Sequence, residues 1–269
     1  MAVSIEKKYQ KLTDTEHVLH RPGMYVGSIK PHTEEVFLPI KGKDQFQLTE
    51  VTYNPGFLKL FDEIISNSVD EHKRNPKLNK IKIKLDMDSG LISVWDNGGI
   101  PVEIHKEYDE WVPEMVFSNL KTGSNFDDSE DRIVVGTNGV GSTLTNIFSK
   151  EFNIQTCDGK KQFNQTFEDN MGKRRKPKIT KKKTPHTQIT YLTDFERFGL
   201  KGIDKNHYLM ITKRLIDIAA CNPTLKIYLN NKPIAFRTFK DYASRYVTPI
   251  FYDQSEHWKI GIGHSTTGF

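Results

Sequence analysis

Apolar residues along this chain follow two rhythms. Between Phe57 and Val69 they fall at Phe57, Leu58, Phe61, Ile64, Ile65 and Val69, the spacing of one buried face of a helix. Over Ile81-Lys82-Ile83-Lys84-Leu85 they alternate, the spacing of a strand with one buried side. The first rhythm predicts a helix that opens at Asn54-Pro55-Gly56 and runs to about Arg74. The second predicts a strand joined to Leu91-Ile92-Ser93-Val94-Trp95 through a turn at Asp86 to Gly90.

The same reading extends outward. Thr13-Asp14-Thr15-Glu16 has the form of a capping box, which predicts a short helix through about His20, stopped by Arg21-Pro22-Gly23. Residues 1–12 precede it as an arm. Val36 to Tyr53 alternates weakly around Lys41-Gly42-Lys43-Asp44 and predicts a hairpin. Pro113 suits the first turn of a helix carrying Met115, Val116 and Leu120. Lys121 to Asn138 has little apolar periodicity, so it reads as a loop long enough to be a functional lid. Helices are predicted over Val140 to Ser149, His207 to Ala220 and Phe239 to Val247. Strands are predicted near 151–157, 161–168, 187–192 and 224–229, with another beginning at His257 to Ile262. Strands and helices mixed with antiparallel hairpins give an α+β class, a mixed sheet with helices on one face.

The polar side of the long helix carries the first candidate chemistry. Glu63, Asn67, Asp70 and Arg74 are spaced four, three and four apart and project from one face. A carboxylate, an amide, a second carboxylate and a guanidinium can together activate water, hold a cation and meet phosphate. An ordinary solvated face with i,i+4 pairs would show the same spacing. Asn67 tilts the balance, because Asn is a mediocre residue at mid-helix and invites another reason for its place.

Gly136-Thr137-Asn138-Gly139-Val140-Gly141-Ser142-Thr143 comes close to a P-loop. Ser142 stands where that loop needs its lysine, and no apolar strand leads tightly into it, so a P-loop NTPase is disfavoured. A dinucleotide fingerprint is also absent. What remains is an anion-attracting run of open backbone N–H groups at the start of a helix. Asp96-Asn97-Gly98-Gly99 is either a plain turn after a strand or a fixed carboxylate able to accept a hydrogen bond from an adenine amino group.

Composition narrows the class. With 36% hydrophobic and 11% aromatic residues the chain can bury a large core, and no apolar run approaches a membrane span. The N-terminus lacks the apolar core of a secretory signal, which predicts an intracellular protein. Cys157 and Cys221 are far apart and outside any metal-ligand spacing. Lys173 to Lys183 (KRRKPKITKKK) holds eight Lys or Arg and no acid; taking those eight from the net +5 leaves about −3 on the rest. That run can contact a phosphate backbone, serve as a nuclear localisation signal, or be a solvated hairpin tip.

The order of an E-x-x-x-N helix, a D-x-G turn and a G-x-x-G-x-G segment resembles the GHKL superfamily with its Bergerat ATP-binding fold. Within it the chain looks like the type IIA DNA topoisomerases, closer to the eukaryotic, large-virus or T-even-phage enzymes than to bacterial gyrase. The resemblance rests on residues 16–28 (EHVLHRPGMYVGS), 60–71 (LFDEIISNSVDE), 121–128 (KTGSNFDD) and 138–149 (NGVGSTLTNIFS). It implies ATP and Mg2+ as cofactors, with Glu63 as the general base on the attacking water and Asn67 as the Mg2+ ligand. It implies that Asp96 reads the adenine amino group and Thr187 supports that edge, that Ser124 and Asn125 reach the ribose and phosphates, and that Asn138, Gly139, Val140 and Gly141 wrap the triphosphate. Gly136, Thr137, Ser142 and Thr143 flank that wrap, while Asp70 and Arg74 stand nearby. Tyr9 resembles the residue that reaches across a dimer to the partner's nucleotide.

Further expectations follow from the same resemblance. The domains are an N-terminal arm at 1–12, the GHKL ATPase domain at 13–235 and the start of a transducer domain at 236–269. The partners are ATP, a second copy in a nucleotide-dependent dimer and, in the full enzyme, double-stranded DNA. The location is the cytoplasm (nucleoid or infected host cell), or the nucleus if the source is eukaryotic. Two departures stand out: the turn at Asp96 is one residue shorter than the family's, and Thr143 replaces a lysine of eukaryotic relatives. The family's transducer lysine and DNA-cleaving region are expected to lie beyond Phe269. The competing readings are another GHKL ATPase and a non-catalytic nucleic-acid-binding module acting through Lys173 to Lys183.

Overall fold

The computed structural model describes residues 5, 9, 11–122, 139–234, 236, 238–248, 250–255 and 258–264. Helix α1 (Asp14–His20) starts at Thr13, whose hydroxyl accepts from the Glu16 N–H while the Glu16 carboxylate accepts from the Thr13 N–H, so the capping box forms as the sequence predicts. Strands β1 (His32–Leu38) and β2 (Gln47–Tyr53) pair antiparallel as the expected hairpin. The long helix α2 (Pro55–Arg74) follows.

Among the described residues the main sheet has nine strands. They are β3 (Lys80–Leu85), β4 (Leu91–Asp96), β7 (Ser149–Cys157), β8 (Lys161–Glu168), β9 (Lys173–Arg174), β10 (Lys178–Lys181), β11 (His186–Thr193), β12 (Lys226–Leu229) and β13 (Lys232–Ile234), after the short pair β5 (Ile104–His105) and β6 (Glu110–Trp111). The spatial order is β10-β8-β7-β11-β4-β3-β12-β13, with β9 beside β8. Among the described residues only the β3–β12 pair of this sheet is parallel, so the sheet is mixed. Alternate residues are buried on one face: Ile81, Ile83, Ile92, Val94, Ile189, Tyr191, Phe152, Ile154, Phe163 and Phe167. Ser93, Trp95, Gln188 and Thr190 point the other way and are less buried, the division expected of an antiparallel sheet covered on one side.

Helices supply the cover. Phe57, Leu60, Phe61, Ile64, Ile65 and Val69 of α2 enter the same core as Leu144 and Ile147 of α4 (Gly141–Ile147) and Phe117 of α3 (Val112–Ser118). Helix α5 (Lys205–Cys221) adds Ile211, Leu215 and Ile218. Asn54 holds the start of α2 in place: its Oδ1 accepts from the Phe57 N–H at 3.1 Å, its amide donates to the Ile29 and Phe198 carbonyls, and its own N–H donates to His207 Nε2 at 2.9 Å. The axial position of α2 is therefore set by buried polar bonds as well as by apolar burial.

Several boundaries depart from the sequence reading. The helix expected over 140–149 stops at Ile147, because Ser149 already pairs with Thr193 in the sheet. The helix expected over 239–247 is α6 (Phe239–Ala243), and an unpredicted strand β14 (Ile250–Gln254) pairs with β15 (Lys259–Gly263). The basic run forms β9 and β10 rather than a bare hairpin tip, and Ile179 packs on the core. Lysine-rich strands give no alternating apolar signal, which is why they escape periodicity. Both cysteines are free. No described helix is long and apolar enough to cross a membrane.

Candidate functional site

A cavity of about 550 Å3 opens between α2, the end of β4, α3 and the start of α4. Glu63, Asn67 and Arg74 line it from α2, Asp96, Gly98 and Gly99 from the end of β4, Thr187 from β11, and Gly139, Val140, Gly141 and Ser142 from the glycine segment. The polar helix face and the glycines, about seventy residues apart in sequence, thus meet across one space.

Three hydroxyl and amide side chains fasten α4 there. Thr145 Oγ1 donates to the Leu60 carbonyl of α2 at 3.0 Å, Ser142 Oγ to the Val116 carbonyl at 3.1 Å, and Asn146 Nδ2 to the Phe117 carbonyl at 2.9 Å. The fit is so close that a methyl group at Gly141 would overlap the Glu63 carboxylate. Gly139 has a φ of 60°, the left-handed region that glycine enters without strain. The Thr122 N–H donates to the Gly139 carbonyl at 3.1 Å, so these two residues lie side by side at the cavity. The two oxygens of Glu63 differ in their surroundings: Oε1 is paired with Lys59 Nζ at 2.5 Å, and Oε2 faces Gly141.

The Asp96 end is built from buried bonds. Asp96 Oδ2 accepts from Ser68 Oγ at 2.7 Å and Oδ1 from the Gly98 N–H at 2.9 Å. Burial pushes the Asp96 carboxyl up to about 6; those two hydrogen bonds and a third from the Thr187 backbone oppose the rise, and the nearby Glu71 charge adds to it. The shortened turn is braced throughout. Asn97 Oδ1 accepts from the Asn79 and Lys80 N–H groups, Ile100 N–H donates to Thr156 Oγ1, and the Gly99 backbone lies so close to the Cys157 carbonyl that a side chain there would overlap it. Thr187 stands opposite Asp96 in the β4–β11 register, with its Oγ1 2.9 Å from Thr156 Oγ1.

Two residues of the expected set lie elsewhere. Asp70 is buried and off the cavity wall, and Glu71 lines the cavity in its place, ion-paired to Arg74 at 3.2 Å. Positions three and four after Asn67 flank the same helical stripe, so spacing alone leaves packing to choose between them. Thr143 is buried and donates to the Asn119 carbonyl at 3.1 Å; its side chain ties α4 to the end of α3 and does not line the cavity. Tyr9 is exposed. Ser124, Asn125, Gly136, Thr137 and Asn138 lie outside the described residues. Lys59 and Ser68 are additions: Lys59 was legible as an i,i+4 partner of Glu63, whereas nothing in the local pattern marks Ser68 as the donor to Asp96.

A helix carrying Glu and Asn across a cleft from a glycine segment, over a mixed sheet that ends in a buried aspartate, defines an ATPase class. Residues 53–186 match the family of histidine kinase-, DNA gyrase B- and HSP90-like ATPases. DNA topoisomerase 2 of Acanthamoeba polyphaga mimivirus is 41% identical over 98% of this chain, and DNA topoisomerase 2 of Arabidopsis thaliana is 42% identical over 91%. The chain spans 22% of the mimivirus protein and 17% of the plant protein. The solved ATPase and transducer domains of DNA topoisomerase II from Balamuthia mandrillaris superpose with a TM-score of 0.93 at 37% identity, covering 98% of this chain and 70% of that one. The ATPase region of Saccharomyces cerevisiae topoisomerase II bound to ICRF-187 gives 0.90 at 34% identity, covering 94% and 70%. The chain belongs to the DNA topoisomerase II family, as an ATPase region.

Proposed function

We propose that this chain binds Mg·ATP in the cavity between α2 and the glycine segment, and that its parent enzyme couples the hydrolysis of ATP to passage of one DNA duplex through another. The observation that carries the reading is the placement of Glu63 and Asn67 on one wall of that cavity, with the Gly141 backbone against the Glu63 carboxylate. Asp96 accepts a hydrogen bond from the adenine amino group, and Thr187 supports the same edge. Gly139, Val140 and Gly141 present backbone to the triphosphate, Ser142 lies at the start of their helix, and Arg74 adds positive charge. Ser124, Asn125, Gly136, Thr137 and Asn138 complete the ribose and phosphate contacts in this reading.

The donor set fits Mg2+. The cation takes oxygen ligands and is commonly held by one or two protein groups together with phosphates and waters. Asn67 offers one amide oxygen on the wall that faces the glycines. When bound, Mg2+ neutralises charge on the phosphates. Glu63 Oε2, which lies on the glycine side, takes the proton of the attacking water, while Lys59 holds Oε1 and fixes the carboxylate rotamer.

The domain reading is 1–12 as an arm, 13–235 as the ATPase domain and 236–269 as the start of a transducer. Its support is that the main sheet closes at Ile234 and β14–β15 make a separate pair. Nucleotide-dependent pairing of two copies, with Tyr9 reaching the partner's site, and capture of double-stranded DNA belong to the same reading, as does a place wherever the DNA lies, in the cytoplasm or the nucleus. Glu63→Ala tests it. ATP binding should persist while turnover in the full-length enzyme falls by about 10²-fold or more, and unchanged turnover removes Glu63 from the base role.

A further inference from the structure

The lysine-rich strands are not absorbed by the nucleotide site. Three of the eight basic residues at 173–183 have acidic partners: Lys173 with Asp169 at 2.6 Å, Arg174 with Glu114 at 3.0 Å and Arg175 with Glu168 at 2.7 Å. Lys181, Lys182 and Lys183 gather differently. Strand β10 is the edge of the sheet, and its register sets Lys181 directly opposite Lys161. The Lys182 N–H then donates to the Lys160 carbonyl at 3.2 Å, which keeps the two strand ends together. Lys160, Lys161, Lys181, Lys182 and Lys183 therefore share one exposed corner.

Like charges directly across a strand pair destabilise it. Charged side chains, lysine above all, keep an edge strand from pairing with another chain, but that protection does not call for two lysines face to face across the pair. The acid closest in sequence, Asp158, is already engaged: its carboxylate accepts from the backbone N–H groups of Lys160, Lys161 and Val102. None of the five lysines has an ion-pair partner among the described residues. Asp158 keeps its negative charge beside Lys160, so the five lysines of the corner retain an excess of positive charge that a polyanion would relieve.

We propose that this corner is a contact site for the phosphate backbone of double-stranded DNA. It deepens the DNA-partner reading above and rests on it for the identity of the polyanion. Duplex is favoured over single strand because residues 158–161 and 173–183 contain no aromatic side chain, and single-stranded binding without sequence preference relies on aromatic stacking platforms. The contact is separate from the triphosphate site. Asp96, Thr187, Thr156, Phe163 and Ile179 stand in one row across five strands, which at about 4.8 Å per strand puts the edge roughly 20 Å from Asp96.

The test uses the whole chain and the triple variant Lys181→Gln, Lys182→Gln, Lys183→Gln, with no nucleotide present. Binding to a fluorescent random-sequence DNA duplex is read by anisotropy across a salt series, beside the matching single strand and vesicles of anionic lipid. Each lysine removed should lower the slope of log K against log salt by about 0.9, so the variant should lose about 2.7 in slope and at least tenfold in affinity at low salt. Titration with a non-hydrolysable ATP analogue should be the same for both proteins, which separates failure of the corner from failure of the nucleotide site. A variant that binds duplex with unchanged slope overturns the inference and leaves the ATPase reading standing. Preference for single strand or vesicles over duplex overturns it as well, and no duplex binding by the unaltered chain overturns it together with DNA contact by this region.

Discussion

The two ends of the nucleotide cavity are built in opposite ways. At the Asp96 end every polar group is already held: Ser68 and Gly98 donate to the carboxylate, Asn97 ties the turn to the start of β3, and Thr187 and Thr156 bridge neighbouring strands. At the Glu63 end Asn67 is exposed on the helix face and Glu63 is partly buried, and the order of the carboxylate comes from a tight backbone approach at Gly141 and a single ion pair with Lys59. The first end is made to recognise a fixed, planar group, because a buried and satisfied network keeps one geometry. The second is made to respond, since its carboxylate and amide gain most of their partners only when a triphosphate arrives.

That contrast can be broken from the Glu63 end with the largest effect. Gly141→Val places a side chain where the Glu63 carboxylate lies. Displacing a catalytic group by about 1 Å costs on the order of 10²-fold, so turnover in the full-length enzyme should fall by at least that much while the melting temperature changes little. Normal turnover would mean that Glu63 does not work from this position.

The Asp96 end should answer to pH. Its carboxyl, pushed up to about 6 by burial, is ionised at neutral pH and takes up a proton as the pH falls through that value. The folded form therefore binds more protons than the unfolded chain between about pH 4 and 6, and stability falls as pH rises across that window. Asp96→Asn, which keeps a carbonyl acceptor, should abolish that slope and stabilise the fold at pH 7 by up to roughly 3 kcal/mol. Denaturant unfolding at pH 5 and 7 for both proteins measures it. A pH dependence identical in the variant would show that some other group titrates.

Ser68→Ala should give the smallest change. Its hydroxyl makes one of the three hydrogen bonds holding the Asp96 carboxyl down, beside the Gly98 and Thr187 backbone, so its loss should raise that group further. Affinity for adenine nucleotide should drop a few-fold at pH 7 and more at pH 6, in keeping with about 1 kcal/mol for one hydrogen bond. Equal losses at both pH values would assign Ser68 a merely structural part.

Much of this was readable from the chain. The capping box at Thr13, the span of α2 and the strands β3, β4, β8 and β11 follow from periodicity, because each buries one regular face. The pairing of α2 with the glycine segment was legible through the family resemblance, since the helix face and the glycines are each compatible with plainer readings when taken alone. What stayed hidden depends on three-dimensional packing. Nothing local distinguishes Asp70 from Glu71 as the cavity residue, or shows that the Thr143 hydroxyl is taken by Asn119. The lysines of β9 and β10 masked two strands whose formation depends on pairing with β8.

In the proposed function Glu63 and Asn67 face a metal-bearing triphosphate together. Isothermal titration of a non-hydrolysable ATP analogue, with and without Mg2+, on the unaltered chain and on Asn67→Ala tests it most directly. Binding to the unaltered chain should be enhanced by Mg2+, and the variant should lose that enhancement. An equal Mg2+ effect in both proteins, or no heat of binding from the unaltered chain, would contradict it.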